Sequence, residues 1–434
     1  MYRITKEAPV SGHYDLAVIG GGPSGLMCAI TAARLGCRVA LAERFGFLGG
    51  TAAGGYVLPI SGFYLGGRQV VGGIPFEFVK RMEALGGAAF EYPKGNVSFS
   101  PEVYKLVAQE MLTETGVEVY TNAYLTDAAV CDGRILAAIL ETKSGAAAIE
   151  ADVFADATGD GDLARLAGAE MLPAPAEGLQ PMSLCFLLGG VDTTTPLLRD
   201  CIHHDGKTGA SVNKTIQALL QKEAGSGFAR FGGPWFNVTL CGDVLAVNVT
   251  RAGADACDGK ALQDAEFAMR REMFAIVAVL RRAYREFENC YIISSAPLVG
   301  IRETRHIRGA YTMTGDDLLL ARRFSDCVAL CAHPVDIHNT ADGTQICKRL
   351  ERAAGVPYRA MYSPAVKNLL CPSRCVSAER VAYASLRVQA TLMALGQAAG
   401  VAAALCRRTG NGDVAAVDTP ALLHELHALG GITE

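Results

Sequence analysis

Short apolar runs and helix-like repeats alternate in the first part of the chain. Leu16–Ile19 is a continuous apolar run of the kind that a buried parallel strand needs. From Ser24 to Leu35 apolar residues recur at helical spacing, and Gly36 stands where a left-handed cap belongs. A second apolar run covers Arg38–Ala42. The pattern predicts a strand, a helix and a second buried strand, joined by short turns.

Two helices and a series of strands are predicted next. Residues 75–85 and 101–114 show helical spacing. The period then changes to that of strands, with glycine-containing turns that suit hairpins. These strands form a meander that returns to the parallel sheet. They are Val117–Thr121, Ala123–Val130, Ile135–Glu141 and Ala147–Ala157, with turns at Asp132-Gly133 and Ser144-Gly145.

Three prolines between residues 173 and 181 indicate a crossing between domains. Beyond them, three apolar runs predict strands of a separate sheet, at Met182–Leu188, Trp235–Leu240 and Val244–Thr250. A long helix is predicted over residues 261–289, with charges on one side. Its apolar side consists of Phe267, Phe274, Val277 and Leu280.

The last part of the chain predicts a strand and a long apolar helix. Thr314 and Asp317 resemble a capping box that opens a short helix to Phe324. Residues 368–371 are predicted to form a last buried strand. The helix over 389–407 carries a face of alanine and glycine, against which a backbone or a ligand can pack closely.

The glycines between the first strand and the first helix are the strongest chemical signal. Gly20, Gly22 and Gly25 fill the three places of GxGxxG, which serve a tight turn, the approach of a pyrophosphate and close helix packing. Glu43 ends the next strand, where a carboxylate binds both hydroxyls of an adenosine ribose. Because strand, turn, helix, strand and acid occur in order, we predict a dinucleotide site rather than a purely structural turn.

Composition and charge exclude several classes of protein. The chain has 434 residues, 50% of them apolar, and a net charge of −4, which favours neither nucleic acid nor an anionic membrane. No signal peptide is recognised, and the uncharged stretch 388–406 suits a buried helix better than a bilayer span. The 14 cysteines form no dense disulfide framework, so we predict reduced thiols and a cytoplasmic location. The CxxxC pairs Cys327/Cys331 and Cys371/Cys375 could be metal ligands, but each lacks a second pair at zinc-like or cluster-like spacing, so we predict no metal.

Several motifs along the chain together form a recognisable set. They are DLAVIGGGPSG, AERFGFLGGT, DATGDGD, PLVGIRETRHIRG, HPVDIH, VPYR and NLLCPSRCVSAERVAYASLRVQATLMALGQAAG. This set resembles the FAD-dependent oxidoreductase family of glutathione-reductase-like flavoproteins. It is similar, more distantly, to the succinate dehydrogenase and fumarate reductase flavoproteins.

The resemblance implies an α/β fold with a Rossmann-like FAD-binding domain, made of a parallel sheet plus a β-meander, and an inserted α+β substrate domain. Residues 1–178 and 363–434 would form the FAD-binding domain, and residues 179–362 the substrate domain. The helix after Arg387 would direct its N-terminus at the flavin, where its N–H groups stabilise negative charge.

The resemblance also implies which residues bind FAD. The pyrophosphate would lie at Gly20, Gly22, Ser24 and Gly25, beside Thr158, Gly159 and Asp160. Glu43 would bind the ribose, and Arg44 would contact the adenosine side. The backbone of Ala123 would pass near adenine. Gly49, Gly50 and Thr51 would lie on the flavin side, Arg374 and Cys375 near the ribitol, and Arg387 next to the flavin.

The chain departs from several flavoprotein classes. Residues 46–55 contain no histidine of the kind that attaches flavin covalently in succinate dehydrogenases, so we expect non-covalent FAD. No CxxxxC pair follows that loop and no second GxGxxG is present, which disfavours a disulfide reductase. Asp160-Gly161-Asp162 resembles a turn of flavin hydroxylases, but the residues that follow it in those enzymes do not line up.

The groups available for chemistry beyond the flavin are Arg302, Arg305, His306, His333, His338, Arg359 and Arg387. We predict His338 for proton transfer, and Arg302 with Arg359 for anchoring a carboxylate or oxyanion. Each has a structural alternative, because arginines often form ion pairs and His338 stands near Asp336. His203 and His204 are interpreted as surface residues, and Cys375 as a packing residue.

The sequence therefore predicts an oxidoreductase that transfers a hydride between non-covalent FAD and a small polar organic substrate, as a dehydrogenase or an alkene reductase. The alternatives are an FAD-binding scaffold or partner subunit without turnover of its own, and a flavin hydroxylase. We expect no nucleic-acid or membrane partner, and a homo-oligomer stays open. The external electron donor or acceptor is not specified by the sequence.

Overall fold

A computed structural model describes residues 2, 5–91, 95–198, 209–224, 232–340 and 342–434. The strands are β1 (Val10–Ile19), β2 (Val39–Glu43), β3 (Tyr64–Leu65), β4 (Arg68–Gln69), β5 (Ala88–Glu91), β6 (Asn96–Phe99), β7 (Glu118–Thr121), β8 (Tyr124–Cys131), β9 (Arg134–Thr142), β10 (Gly145–Asp156), β11 (Phe186–Gly189), β12 (Trp235–Val238), β13 (Leu245–Asn248), β14 (Tyr291–Ser295), β15 (Cys327–Cys331), β16 (Val335–His338), β17 (Gln345–Lys348), β18 (Ala354–Pro357) and β19 (Leu369–Leu370). The helices are α1 (Pro23–Arg34), α2 (Gly50–Ala53), α3 (Ile74–Ala84), α4 (Pro101–Thr115), α5 (Asp162–Leu166), α6 (Gly209–Ala224), α7 (Gly259–Ala283), α8 (Gly315–Leu319), α9 (Arg380–Leu386), α10 (Gln389–Thr409) and α11 (Thr419–Ala428).

The largest sheet has the strand order β7-β2-β1-β10-β9-β8, with β19 beside the end of β10. β7, β2, β1, β10 and β19 run parallel, whereas β8 and β9 form an antiparallel meander with the first half of β10. β19 comes from the last part of the chain and pairs with Phe154 and Ala155 of β10. The predicted α/β class, a Rossmann-like parallel sheet with a meander, is confirmed.

The apolar run at the end of β1 is buried on both faces of this sheet. Leu16, Ala17 and Val18 have no exposed surface, because β2 and β10 flank the strand and helices cover it. The strand begins at Val10, earlier than the apolar run, since residues 10–14 continue to pair with β10. Hydrophobicity alone therefore underestimates its length.

A second sheet is antiparallel and has the order β12-β13-β11-β14. Its core includes Phe186, Phe236 and Val247, together with the inner face of α7. The prediction for α7 was partly wrong, because Phe267 and Phe274 are 51% and 60% exposed, while Met273 and Ile276 are buried. Two aromatic residues seven apart mark a helix face, but they do not say whether that face is covered.

Two of the predicted helices end earlier than expected. α7 ends at Ala283, because Tyr284 leaves the helical conformation and a short 3-10 turn follows. The capping box of α8 is confirmed: Thr314 Oγ1 accepts the N–H of Asp317, and Asp317 Oδ2 accepts the N–H of Thr314. The helix itself stops at Leu319, before Phe324.

Helix α10 packs directly on α1 through its glycines. A Cβ atom at Gly396 would overlap the carbonyl oxygen of Ser24, and one at Gly400 would press on the backbone of Cys28. α10 is long and apolar enough to cross a membrane by length and composition, yet 89% of its most apolar window is buried inside the fold. The predicted buried helix with a small-residue face is confirmed.

Replacing Gly396 by alanine tests this close contact. The overlap with Ser24 forces the two helices apart, which costs about 1–3 kcal/mol and outweighs the roughly 1 kcal/mol that alanine gains over glycine in a helix. We expect a lower urea midpoint for Gly396→Ala. Gly259→Ala is the control, since a Cβ at this helical position meets nothing within 4 Å. Equal stability of the two variants would contradict the packing argument.

Candidate active site

A cleft of about 1010 Å³, part of it open to solvent, lies where the parallel strands end. Its wall combines residues from both ends of the chain, as the sequence predicted. Of the predicted cofactor residues, the wall contains Gly20, Gly22, Ser24, Glu43, Arg44, Gly50, Thr51, Ala123, Thr158, Gly159, Arg374 and Arg387. We call this space the first cleft. Its position at the carboxyl edge of the sheet is where open α/β folds bind ligands.

The three glycines of the motif serve three different physical needs. Gly20 has φ +110°, and a side chain there would collide with the carbonyl of Ala157. A Cβ on Gly25 would collide with the carbonyl of Gly20, so this glycine allows α1 to approach the turn. Gly22 has an extended backbone, and the nearest atom to its Cβ position, on Gly50, is 3.9 Å away. Only Gly22 therefore leaves open space toward the cleft.

The N-terminus of α1 provides an anion site in this cleft. Gly22 is the N-cap, and no side chain caps the helix. The first N–H groups of a helix have no partner within it, and they carry the positive end of its dipole. Gly22 and Ser24 line the cleft. The arrangement suits a phosphate group.

Glu43 is buried at the end of β2 and faces the same cleft. Its Oε2 accepts the N–H of Gly21 at 2.7 Å, and its Oε1 accepts the N–H of Phe45 at 3.0 Å. Burial raises the pKa of this carboxyl, while the two backbone hydrogen bonds oppose the shift. Each oxygen keeps a second lone pair, so the group can still accept from ligand hydroxyls.

The loop after β10 is held by Asp156, whose role the sequence did not reveal. Its Oδ1 accepts from the N–H and the hydroxyl of Thr158 at 3.0 and 2.6 Å, and its Oδ2 accepts from the N–H of Ala164 at 2.8 Å. Complete burial raises the pKa of Asp156 to about 6. Thr158 and Gly159 are thereby fixed in the cleft wall.

Four predicted cofactor residues do not line the first cleft, and their effect on a ligand is indirect. Gly25 packs against the turn, and Gly49 supports it by donating its N–H to Gly21. Asp160 is 5% exposed, and its Oδ1 accepts from Arg374 and from Thr304 at 2.8 Å each, so it positions Arg374. Cys375 is fully buried beside Ser373.

A second cleft of about 1410 Å³ adjoins the first. The two share five wall residues, which are Thr51, Ile301, Arg374, Arg387 and Gln389. The second cleft reaches from the parallel sheet to the antiparallel sheet. Its further wall includes Ser183, Cys185, Trp235, Asn237, Asn248, Arg302, His333, Asp336 and Gln345.

Of the three predicted catalytic residues, only Arg302 lines the second cleft. Its Nη1 donates to the carbonyl of Pro181 and to Ser183 Oγ, both at 2.7 Å. Burial, and then the neighbouring charges of Arg251 and Arg387, hold its pKa well below the usual range. Its placement agrees with a role in anchoring a polar group.

The structure does not bring Arg359, predicted to anchor a carboxylate or oxyanion, to the wall of either cleft. Its guanidinium forms a two-point ion pair with Asp326, at 2.9 and 3.2 Å, and lies 5.4 Å from the ring centre of Tyr311. It lines a separate surface crevice that contains no residue of the two clefts. The structure therefore gives no support to Arg359 as an anchor for a ligand in either cleft.

His338 also lies outside the cleft walls. It is 2% exposed, and its Nε2 lies 3.1 Å from Asp336 Oδ2. Asp336 itself lines the second cleft. Burial opposes its ionisation, but His338, Arg387 and Gln345 together hold the pKa of Asp336 well below its usual range. His338 therefore supports Asp336 from behind rather than facing a ligand.

His333 is the histidine that lines the second cleft. Its Nδ1 lies 2.8 Å from the carbonyl of Pro334, which can only accept, so Nδ1 carries the proton and Nε2 is a free base. Burial lowers the pKa of His333, which keeps the ring neutral. Both histidines belong to one short motif, and only the fold separates their roles. His203 and His204 lie outside the described residues.

The burial of His338 makes a prediction for stability. Burial lowers the pKa of His338 to about 4, so below about pH 6.5 the unfolded chain takes up a proton that the folded chain does not. The free energy of unfolding should fall between about pH 6.5 and 4, by up to about 3 kcal/mol for this group. His338→Gln should reduce that slope in urea titrations. An identical slope in both proteins would contradict the assignment.

Comparison with known proteins identifies the family of the chain. The model of the family described as FAD dependent oxidoreductase matches residues 15–426. Dihydrolipoyl dehydrogenase of Trypanosoma brucei brucei is 51% identical over 43 residues, which are 10% of this chain and 9% of that protein. The chain thus matches less than a tenth of the length of that relative.

Solved structures give only a distant likeness. A geranylgeranyl bacteriochlorophyll reductase-like protein from Thermoplasma acidophilum has a TM-score of 0.48 and 12% identity, with 96% of this chain and 83% of that chain covered. The flavin-dependent brominase Bmp2 has a TM-score of 0.48 and 14% identity, with 96% and 83% covered. The match of the family model over nearly the whole sequence is decisive, and the chain belongs to the FAD-dependent oxidoreductase family.

Proposed function

We propose that this enzyme holds non-covalent FAD in the first cleft and exchanges a hydride with a small polar organic substrate in the second, as a dehydrogenase or an alkene reductase. The observation that carries the proposal is the wall shared by the two clefts, where Thr51, Arg387 and Gln389 border both spaces. A flavin ring bound at that wall would belong to the cofactor in the first cleft and would face the substrate in the second.

The residues of the first cleft fit the parts of FAD in order. The uncapped start of α1 and the open side of Gly22 suit the pyrophosphate, with Thr158 and Gly159 beside it. Glu43 offers acceptors to the ribose. Arg44 and Ala123 line the adenosine side, whereas Gly50, Thr51, Arg374 and Arg387 line the flavin side. Arg374 Nε and Arg387 Nε are buried without a hydrogen-bond partner among the described residues.

The start of α10 supplies a further reason for a flavin at the shared wall. Its N-cap is Val388, whose side chain cannot cap, and Gln389 and Leu392 line the first cleft. Free N–H groups and the helix dipole stabilise an adjacent anion by up to about 2 kcal/mol. Arg387 adds a full positive charge beside them. FAD supplies hydride transfer when bound, and these groups favour the negative charge of its reduced form.

Within the second cleft, His333 is the best placed group to hold or accept a proton. Its Nδ1–H is fixed by the Pro334 carbonyl, so Nε2 is presented as a base. Arg302 holds a polar group of the substrate. Trp235 and Val57 form an apolar part of the cleft wall. Asp336 stays ionised and orients Arg387, whose Nη2 donates to the backbone carbonyl of Asp336 at 3.1 Å and to its Oδ2 at 3.3 Å. We therefore assign proton transfer to His333 in place of His338.

Several wider assignments follow as proposals. The kinship to glutathione-reductase-like flavoproteins, and more distantly to succinate dehydrogenases, rests on the motifs of both chain ends. The division into residues 1–178, 179–362 and 363–434 is supported by the two sheets, although β15 and β18 pack in the same core as α10. We propose a small-molecule substrate, a separate electron donor or acceptor, no nucleic-acid or membrane partner, a cytoplasmic location, and a homo-oligomer as one possible state.

Replacing Gly22 by alanine tests the assignment of the first cleft. The added methyl group points into open space rather than into protein, so the fold should persist while the pyrophosphate is displaced. We expect FAD affinity to fall at least about tenfold, or roughly 1.4 kcal/mol, with an unchanged melting temperature of the apoprotein. FAD titration followed by flavin fluorescence measures it. A wild-type protein that never binds FAD would refute the proposal itself.

Anaerobic stopped-flow absorbance tests the assignment of the second cleft. Flavin bleaching or reoxidation is first screened against carboxylates, alcohols, sugars and enoates. With a reacting compound, His333→Gln should slow the flavin step at least about a hundredfold and retain FAD, because it removes the proton partner. His338→Gln is the matched variant and should slow it much less. The reverse order would restore the prediction for His338, and oxygen consumption with hydroxylated product would favour a hydroxylase.

A further inference from the structure

The hydroxyl of Ser183 has an unusual pair of neighbours in the wall of the second cleft. Its Oγ lies 2.7 Å from Arg302 Nη1 and 2.8 Å from Arg251 Nη1. A guanidinium group only donates hydrogen bonds, so both contacts use lone pairs of the serine oxygen. The hydroxyl proton must then go to a third group that accepts. The described part of the chain offers it no such hydrogen bond, whereas the cleft lies directly beside it.

Arg251 was not distinguished by any sequence motif, and the fold explains its burial. It is 7% exposed, and its Nη1 also contacts Asn248 Oδ1 at 2.7 Å and the carbonyl of Thr250 at 2.8 Å. Its Nε and Nη2 atoms are buried without a partner among the residues that the structure describes. A buried cation with unused donors is expensive to keep unless something binds it or its neighbours.

The charges around this corner do not cancel. Arg251, Arg302 and Arg387 repel one another strongly enough to lower the pKa values of the first two, after burial has lowered them most. The carboxylates that face them are Asp336 and Glu272. Burial keeps the thiol of Cys185 neutral by raising its pKa, and it keeps His333 and His338 neutral by lowering theirs. Among these described groups, three guanidinium groups therefore face two carboxylates, which leaves an excess of one positive charge.

We propose that the second cleft recognises a substrate carboxylate, which accepts a hydrogen bond from the hydroxyl of Ser183 and faces the guanidinium of Arg302. Arg251 is a positioning residue, because it fixes the serine oxygen and supplies charge from behind the wall. A single carboxylate matches the single unbalanced charge. This inference rests on the proposed function for the identity of the second cleft as the substrate cleft, and it narrows the small polar substrate to a carboxylic acid.

The test compares anions with neutral isosteres on the FAD-loaded protein. Acetate and propionate are titrated against acetamide and propionamide, with the visible flavin spectrum and the melting temperature as readouts. We expect the carboxylates to bind at least about tenfold more tightly than the matching amides. Amides that bind as well as the acids, or phosphate that binds more tightly than either acid, would overturn the carboxylate assignment.

Variants locate the effect at the serine. Ser183→Ala should abolish the preference for acids over amides, whereas Ser183→Thr, which keeps a hydroxyl, should retain most of it. Ser61→Ala is the control, because Ser61 lines the same cleft but bonds neither arginine. Arg251→Gln should lower the acid-to-amide ratio about tenfold without loss of FAD. An unchanged ratio in Ser183→Ala or in Arg251→Gln would overturn the proposal.

This experiment can fail independently of the proposed function. If the protein binds no FAD, the proposed flavoenzyme function is refuted. The carboxylate site can still be tested, because the shift in melting temperature caused by acids is measurable on protein without FAD. Conversely, turnover of an alcohol or a sugar with no acid preference would keep the flavoenzyme and reject the carboxylate.

Discussion

The structure depends on the close approach of two helices from opposite ends of the chain. α1 follows the first strand, and α10 is separated from it by more than 350 residues, yet their backbones touch at Gly396 and Gly400. Glycine permits this approach because it places no Cβ between the helices. The contact brings Arg374, Arg387 and Gln389 to the wall built by the first βαβ unit. Without it, neither cleft would be complete.

The two clefts use different groups to attract negative charge. The first faces negative charge with the backbone N–H groups at the uncapped start of α1, and Arg44, Arg374 and Arg387 add cations to its wall. The second uses guanidinium groups, which stay charged even when buried and offer several donors in fixed directions. Asp336 connects the two, because it binds Arg387 at the shared wall and is supported by His338 from the interior.

The elements that could be predicted from the sequence are those that short-range patterns determine. The first strand, the glycine turn, Glu43, the meander, the capping box of α8 and the buried helix α10 depend on spacing within about 20 residues, and they were found at those places. The short hairpins β5–β6 and β16–β17 were missed, because their strands carry too few residues for a period to emerge. The exposure of Phe267 and the distance of Arg359 from both clefts follow from tertiary packing, which no local pattern reports. His333 and His338 differ for the same reason: neighbours from distant segments decide which one faces the cleft.

The glycine contacts between α1 and α10 also fix how far the start of one helix lies from the start of the other. Gly396 meets Ser24 and Gly400 meets Cys28, so both helices advance by four residues and run in the same direction. Gln389 begins its helix seven residues before Gly396, whereas Pro23 precedes Ser24 by one. At about 1.5 Å per residue, the start of α10 extends about 9 Å beyond the start of α1. The helix contact therefore sets the distance between the two N-termini along the helix axis. If α10 moved along α1 by one turn, its N-terminus would shift by about 5.4 Å, and a ligand that contacts both N-termini would no longer fit.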